Sequence, residues 1–323
     1  MVWRALPAVA LLVGGLGTVG SAQSVTLTAV GSIPGSAELI RVEGTRAYVT
    51  SGKTLTLVDI TDPASPRRLA SHTFPDLIWG LAIRGELVYV ATDLSGLSIL
   101  DVSDARAPVV RGSLKTPGQA KSVALAGTRA LVADHVAGID AIDVSSPARP
   151  VLLESYFVDG FAKDVVVRGA LAYALDQPTG LSVFDLTKPG SIEPAATLTL
   201  TNPIPLRAQL VVSDEASTSR SRVAVVVGGG PLQIYDLTNP DRPVHAATYR
   251  TQGPAFRAAL QDGRAYISDG PQGLQVVDLS VPSKPVAVGS YKTSTPARDV
   301  AVAGPLVFVT LGGDEVLILR QSQ

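Results

Sequence analysis

The sequence predicts an all-β fold, a seven-bladed β-propeller of four-stranded repeats about 42 residues long, and three observations carry that expectation. A phrase recurs six times: TLTLVDITDPASP (54–66), GLSILDVSDARAP (96–108), GIDAIDVSSPARP (138–150), GLSVFDLTKPGSI (180–192), PLQIYDLTNPDRP (231–243) and GLQVVDLSVPSKP (273–285). Its aspartates, Asp59, Asp101, Asp143, Asp185, Asp236 and Asp278, are spaced 42, 42, 42, 51 and 42 residues apart. One further step of 42 reaches Arg320, just after the matching run VLIL (316–319). Finally, TAVGSI (28–33) matches VAVGSY (286–291), so the chain's beginning resembles the fourth strand that its last repeat lacks.

Taken in order, residues 1–22 differ from everything that follows. Arg4 is their one charge, an apolar run extends from Ala5 to Leu16, and Gly20, Ser21 and Ala22 close the segment as a cleavage site would. The expectation is a signal peptide, with residues 23–323 as one exported domain, periplasmic, secreted or on the cell surface, and with no membrane span once the leader is cut. The blades are expected at about 38–74, 79–116, 121–158, 163–201, 207–251, 257–293 and 298–320, the last completed by strand 25–33. That closure would cover a sheet edge otherwise open to other chains.

The third repeat shows the strand pattern clearly. KSVALAG (121–127), RALVADH (129–135), GIDAIDV (138–144) and PVLLESYFV (150–158) read as strands a to d, separated by Gly127, by Gly138 and by the Ser145, Ser146, Pro147 cluster. Runs this apolar suit sheets covered on both faces, and each repeat can bury its faces only against its neighbours. The step of 51 reflects an insertion, SDEASTSRS (213–221), which has no apolar residue larger than alanine and reads as a solvated loop.

Composition narrows the function classes. The formal net charge is −1, and loss of a leader carrying Arg4 lowers it by one, which gives no footing for a nucleic-acid partner. There is no cysteine, hence no disulfide, no thiolate metal site and no thiol nucleophile.

Six copies of one aspartate spread round a ring cannot converge on one atom. Each stands at the end of a strand c, before a proline-bearing turn, where its carboxylate can accept a backbone N–H, so the six are expected to be structural. The repeats resemble LVIVD repeats, a bacterial and archaeal class of propeller repeat, most faithfully in LTLVDI (55–60) and LSILDV (97–102). The resemblance covers nearly all of residues 25–320, departing at Arg320 and at residues 192–193, where Pro194 comes late. It implies an exported or surface-attached propeller, loosely related to WD-repeat-like and YVTN-like arrays, and carries no catalytic motif.

Few residues invite chemistry. His72 and His245 fall on strands d and His135 in a b–c turn, with no H-E-x-x-H or G-x-S-x-G to recruit them. The b–c turns also hold Asp93, Asp134, Asp176, Gln177 and Asp269; Asp134, Asp176 and Asp269 share a register that could present oxygen ligands, but each is read as a turn former, and no metal or cofactor is expected. A clearer signal comes from the first residue of each strand a, six residues before the a–b turn: Glu38, Trp79, Lys121, Lys163, Arg207, Arg257 and Arg298. Strand a is innermost in a propeller, so five cations, an aromatic ring and a carboxylate would surround the channel mouth and could hold a carboxylate or phosphate group. The competing reading is that these cations make ion pairs between blades, with Asp164, Asp299 and the b–c aspartates as partners. The favoured function is a non-enzymatic binding scaffold, a monomer, whose partner is another protein or an anionic envelope component. A propeller enzyme of hydrolase, lyase or lactonase type, with its site in the channel, is the alternative.

Overall fold

In the computed structural model, the described residues are 23–156, 158, 160–177, 180–187, 194–200, 208–213, 223–312 and 315–322. The expected signal peptide (1–22), the ring candidate Arg207 and nearly all of the fifth repeat's insertion lie outside them.

The described residues form 28 strands, numbered β1 to β28 in chain order, in seven antiparallel four-stranded sheets and no helix. Each of the first six sheets takes four consecutive strands. Their innermost strands are β2 (Leu39–Glu43), β6 (Gly80–Arg84), β10 (Ser122–Ala126), β14 (Phe161–Arg168), β18 (Gln209–Val212) and β22 (Arg257–Gln261). The seventh sheet joins the two ends of the chain in the order β1 (Thr26–Pro34), β28 (Glu315–Ser322), β27 (Leu306–Leu311), β26 (Ala297–Ala303). Each innermost strand contacts the next, and β26 contacts β2, so the sheets form a closed circuit around a central channel, the arrangement of a β-propeller.

The core lies between sheets. Tyr48, Leu55 and Leu57 of the first sheet pack on Leu81, Val88, Val90 and Leu100 of the second, and each later seam has its own cluster. Nearly every large side chain on strands b and c is fully buried, each contributing about 1.5–3 kcal/mol, which is how a chain without disulfides holds together. The closing strand is fitted as tightly: a Cβ at Gly31 of β1 would overlap the backbone carbonyl oxygen of Pro63 in the first sheet's c–d turn.

The recurrent aspartates behave alike. Asp59, Asp101, Asp143, Asp185, Asp236 and Asp278 each accept the backbone N–H two residues on, from Thr61, Ser103, Ser145, Thr187, Thr238 and Ser280, at 2.7–3.0 Å. Beside each, strands c and d slip by one residue, a bulge repeated in every sheet that the sequence pattern does not disclose.

One register differs from expectation. The a–b turns of the first, second, third, fourth and seventh sheets have glycine at their first position, whereas the sixth has Asp262 first and Gly263 second, with φ of 52° and 73°. Aligning repeats on the turn glycine therefore displaces the sixth strand a by one residue.

Candidate functional site

The channel holds a cavity of about 1380 Å³, and Glu38, Trp79, Lys121, Lys163, Arg257 and Arg298 all line it. The backbone explains the convergence. Ala120, Ala162 and Ala297, fully buried, each donate their N–H to a carbonyl in the preceding sheet's b–c turn, those of Asp93, His135 and Gly270. The next residue, Lys121, Lys163 or Arg298, is thereby carried to the top of the innermost strand, beside the channel. Lys163 and Arg298 are the extra residues of bulges in β14 and β26, an arrangement that re-aims a side chain out of the ladder.

The sixth sheet shows the effect of the shifted turn. Phe256 donates its N–H to Ser268 just as Glu38 does to Thr50, Trp79 to Ala91 and Lys121 to Ala133, so Phe256 holds the equivalent position and Arg257 lies one residue further in. Arg257 still lines the cavity, and Phe256 joins it with its ring 5.3 Å from the Arg298 guanidinium. In the fifth sheet Gln209 pairs with Val227 as Ser122 does with Ala133, which makes Ala208 the equivalent residue there.

Among the described residues, one mouth cation meets the ion-pair reading. Lys121 contacts Asp93 of the preceding sheet at 2.9 Å, while its ammonium also lies 4.4 Å above the Trp79 ring. Asp164 and Asp299 turn away from the cations that precede them. Asp164 accepts the N–H of Leu210 in the next sheet and that of Val165, and Asp299 accepts the N–H of Ile40, both inter-sheet contacts at 2.9 Å. Asp299 also takes the Arg41 guanidinium at 3.2 Å. These carboxylates are sheet-to-sheet hooks; burial raises the Asp164 pKa, and the field of Arg257 opposes the rise. Among the described residues, Lys163 and Arg298 have no carboxylate within ion-pair distance.

The electrostatics follow. Burial, and then repulsion from Lys121, lowers the Lys163 pKa. His135 lines the same cavity, stacked on Phe161 with centroids 4.6 Å apart. Burial lowers its pKa, helped by Lys163 and Lys121 and opposed by Asp93. The Trp79 Nε1 donor is buried and has no acceptor among the described residues. The mouth thus carries positive charge, aromatic faces and an unused N–H, with Glu38 occupied in part by the Gly52 N–H at 3.3 Å.

The sequence pattern names His135 without a role and does not single out Phe161 or Phe256. His72 and His245 lie on outermost strands, β5 (Arg67–Thr73) and β21 (Val244–Tyr249), remote in the fold from the cavity that His135 lines. Two of the b–c aspartates fasten loops. Asp134 accepts from Thr116 Oγ1 and the Gly118 N–H, and Asp269 accepts from the Gly253 N–H, each pinning the segment that enters the innermost strand of its own sheet. No group of three metal-ligating side chains occurs among the described residues.

The matches with known proteins agree with this geometry. The LVIVD repeat family model matches residues 34–72, 78–116, 117–158, 159–193 and 252–293, more than half of the chain. The chain belongs to the LVIVD repeat family. No curated protein matches it. Among solved structures, the crystal structure of the computationally designed Ika8 protein superposes with a TM-score of 0.64 at 8% identity, covering 90% of this chain and 98% of that one. At that identity the likeness concerns the fold alone.

Proposed function

We propose that this LVIVD-repeat protein is an exported propeller of seven blades, one for each sheet, that binds the acidic group of a partner at the mouth of its channel and performs no chemistry on it. The observation that carries the reading is the unequal pairing of the mouth cations: among the described residues Lys121 has Asp93, whereas Lys163 and Arg298 have no carboxylate within ion-pair distance and face a shared cavity. Charges held close together at a partly dry opening are costly without an anion, and Arg298 offers a two-pronged hydrogen-bonding edge to a carboxylate or phosphate. The partner is an acidic segment of another envelope protein or an anionic envelope component, met by a monomer. The composition of residues 1–22 supports export.

A hydrolase, lyase or lactonase has less support. His135, the imidazole at the mouth, stacks on Phe161 in the field of Lys163 and Lys121, and among the described residues it has no hydrogen bond to a carboxylate or hydroxyl of the kind that would orient it as a base. The test is calorimetric titration of the full chain with acetate, citrate and an Asp/Glu-rich peptide, repeated on Lys163→Ala with Arg298→Ala. Saturable anion binding that the double substitution weakens at least about tenfold supports the reading; identical isotherms for both proteins sink it.

A further inference from the structure

We propose that the channel below the mouth accepts an aliphatic chain, so that its ligand is an amphiphile with a carboxylate or phosphate head; this rests on the anion-binding reading above and names its substrate class. The strand registers carry it. In six sheets the innermost-strand residue opposite the second residue of strand b is Val42, Ile83, Leu125, Val167, Leu260 or Val302, paired with Ala47, Val88, Ala130, Ala172, Ala265 and Val307. All six line the cavity and all are partly exposed there. Two residues nearer the mouth, a second layer that includes Leu81, Val123, Val165, Leu210 and Val300 is also aliphatic; it borders the cavity but is mostly buried in the seams between sheets. The layer between is alanine or valine in every sheet except the first, where Arg41 turns back onto the Ile40 carbonyl and Asp299.

Apart from Arg41, whose guanidinium is folded onto Asp299, the charged side chains that line the cavity stand toward its ends. At the far end, Arg84 donates to the Gly127 carbonyl and Arg168 to those of Val167 and Val212, turning them onto the sheet framework. At the near end Lys163 and Arg298 have no such partner among the described residues. Three layers at strand rise make roughly 10 Å of apolar wall, and apolar wall facing a channel gains free energy when a chain displaces water from it. Head and tail are thus recognised by different parts of one cavity, and the orientation is fixed with the acid uppermost.

The experiment titrates the full chain with acetate, octanoate, laurate, dodecyl phosphate and dodecyltrimethylammonium below micelle formation, with citrate as a hydrophilic control. Affinity should rise along the carboxylate series, by about tenfold or more for the methylenes separating octanoate from laurate. The dodecyl ammonium should bind at least about tenfold more weakly than either dodecyl anion, and whichever anion binds tighter identifies the head. Leu125→Gln should remove the chain-length gain while citrate still binds; because that variant alters a core-facing side chain, the wild-type series decides on its own. Citrate binding with no dependence on chain length overturns the amphiphile and leaves the anion site standing. Binding of no anion overturns both, and equal affinity for the dodecyl cation overturns the oriented mode.

Discussion

The outer turns and the channel mouth are built by the same repeat, yet they treat it oppositely. At the outer c–d turns, six sheets place an aspartate on the same N–H two residues ahead. At the mouth the equivalent residues are Glu38, Trp79, Lys121, Lys163, Ala208, Phe256 and Arg298, no two neighbouring sheets agreeing except where lysine follows lysine. A residue needed to make a sheet recurs with the sheet; a residue free to vary at a position the backbone aims into one cavity answers to something else. The substitutions that separate the two regions should move stability and binding independently.

The largest effect on stability is expected at the outer turns. A Cβ at Gly112 would overlap the carbonyl oxygen of Pro147 in the next sheet's turn, so Gly112→Ala should cost about 1–3 kcal/mol and lower Tm by about 3–8 °C, while folded protein keeps its anion affinity. At the mouth the signs reverse. Lys163→Ala with Arg298→Ala should lose at least about tenfold in anion affinity (1.4 kcal/mol) and leave Tm unchanged or slightly raised in a thermal melt, since repulsion between cations is relieved.

Two pH experiments sharpen the contrast further. Burial pushes the Asp140 pKa up to about 7, with Asp134 adding to the rise and Ser155 Oγ, donating at 2.5 Å, opposing it. A folded-state pKa above the unfolded value means that the native state holds the proton while the unfolded chain has released it. Stability should therefore rise as pH falls from about 7 toward the ordinary carboxylate range, and Asp140→Asn should flatten that slope in denaturant melts. At the mouth, His135 is held neutral by burial and by two lysines, so lowering the pH adds positive charge there. Anion affinity should strengthen as pH falls below the normal imidazole range, and His135→Asn should lose the dependence when titrated calorimetrically.

The smallest effect belongs to a single outer aspartate. Asp101 is held at about 2 by Ser103 and then Arg111, so its contribution is present above the ordinary carboxylate value and lost as pH falls toward 2. Asp101→Ala should lower Tm by about 1–3 °C at neutral pH, without change in binding. A loss of anion affinity in Asp101→Ala comparable with that of the mouth variants would break the contrast between the two regions.

Repetition explains what was legible. The period, the four strands per repeat, the aspartate turns and the pairing of β1 with β28 all follow from positions that repeat, because a fixed spacing leaves a regular sheet stack little choice. The gathering of Glu38, Trp79, Lys121, Lys163, Arg257 and Arg298 at one cavity was legible too, since strand a is innermost. What escaped is local. Gly263 stands second in its turn, so counting back from glycine selected Arg257 and passed over Phe256. His135 was set aside for want of a motif, although its b–c turn opens on the channel face. Asp164 and Asp299 looked like partners for the adjacent cations, and only side-chain direction shows that they hold the next sheet instead.

The seventh sheet also determines where the chain ends lie. Thr26 pairs with Ser322 across β1 and β28, so both described ends emerge side by side on one outer edge. In a closed circuit the starting point is a matter of covalent bookkeeping: linking the ends and opening the chain between two sheets, such as between β25 (Val286–Tyr291) and β26, would give a circular permutant in which every sheet takes four consecutive strands. Such a chain would rid the seventh sheet of its dependence on β1, which in the natural order must wait unpaired until β28 has been synthesised. Comparing refolding rates of the two would measure how much of the folding time is spent waiting for that one strand to find its partner.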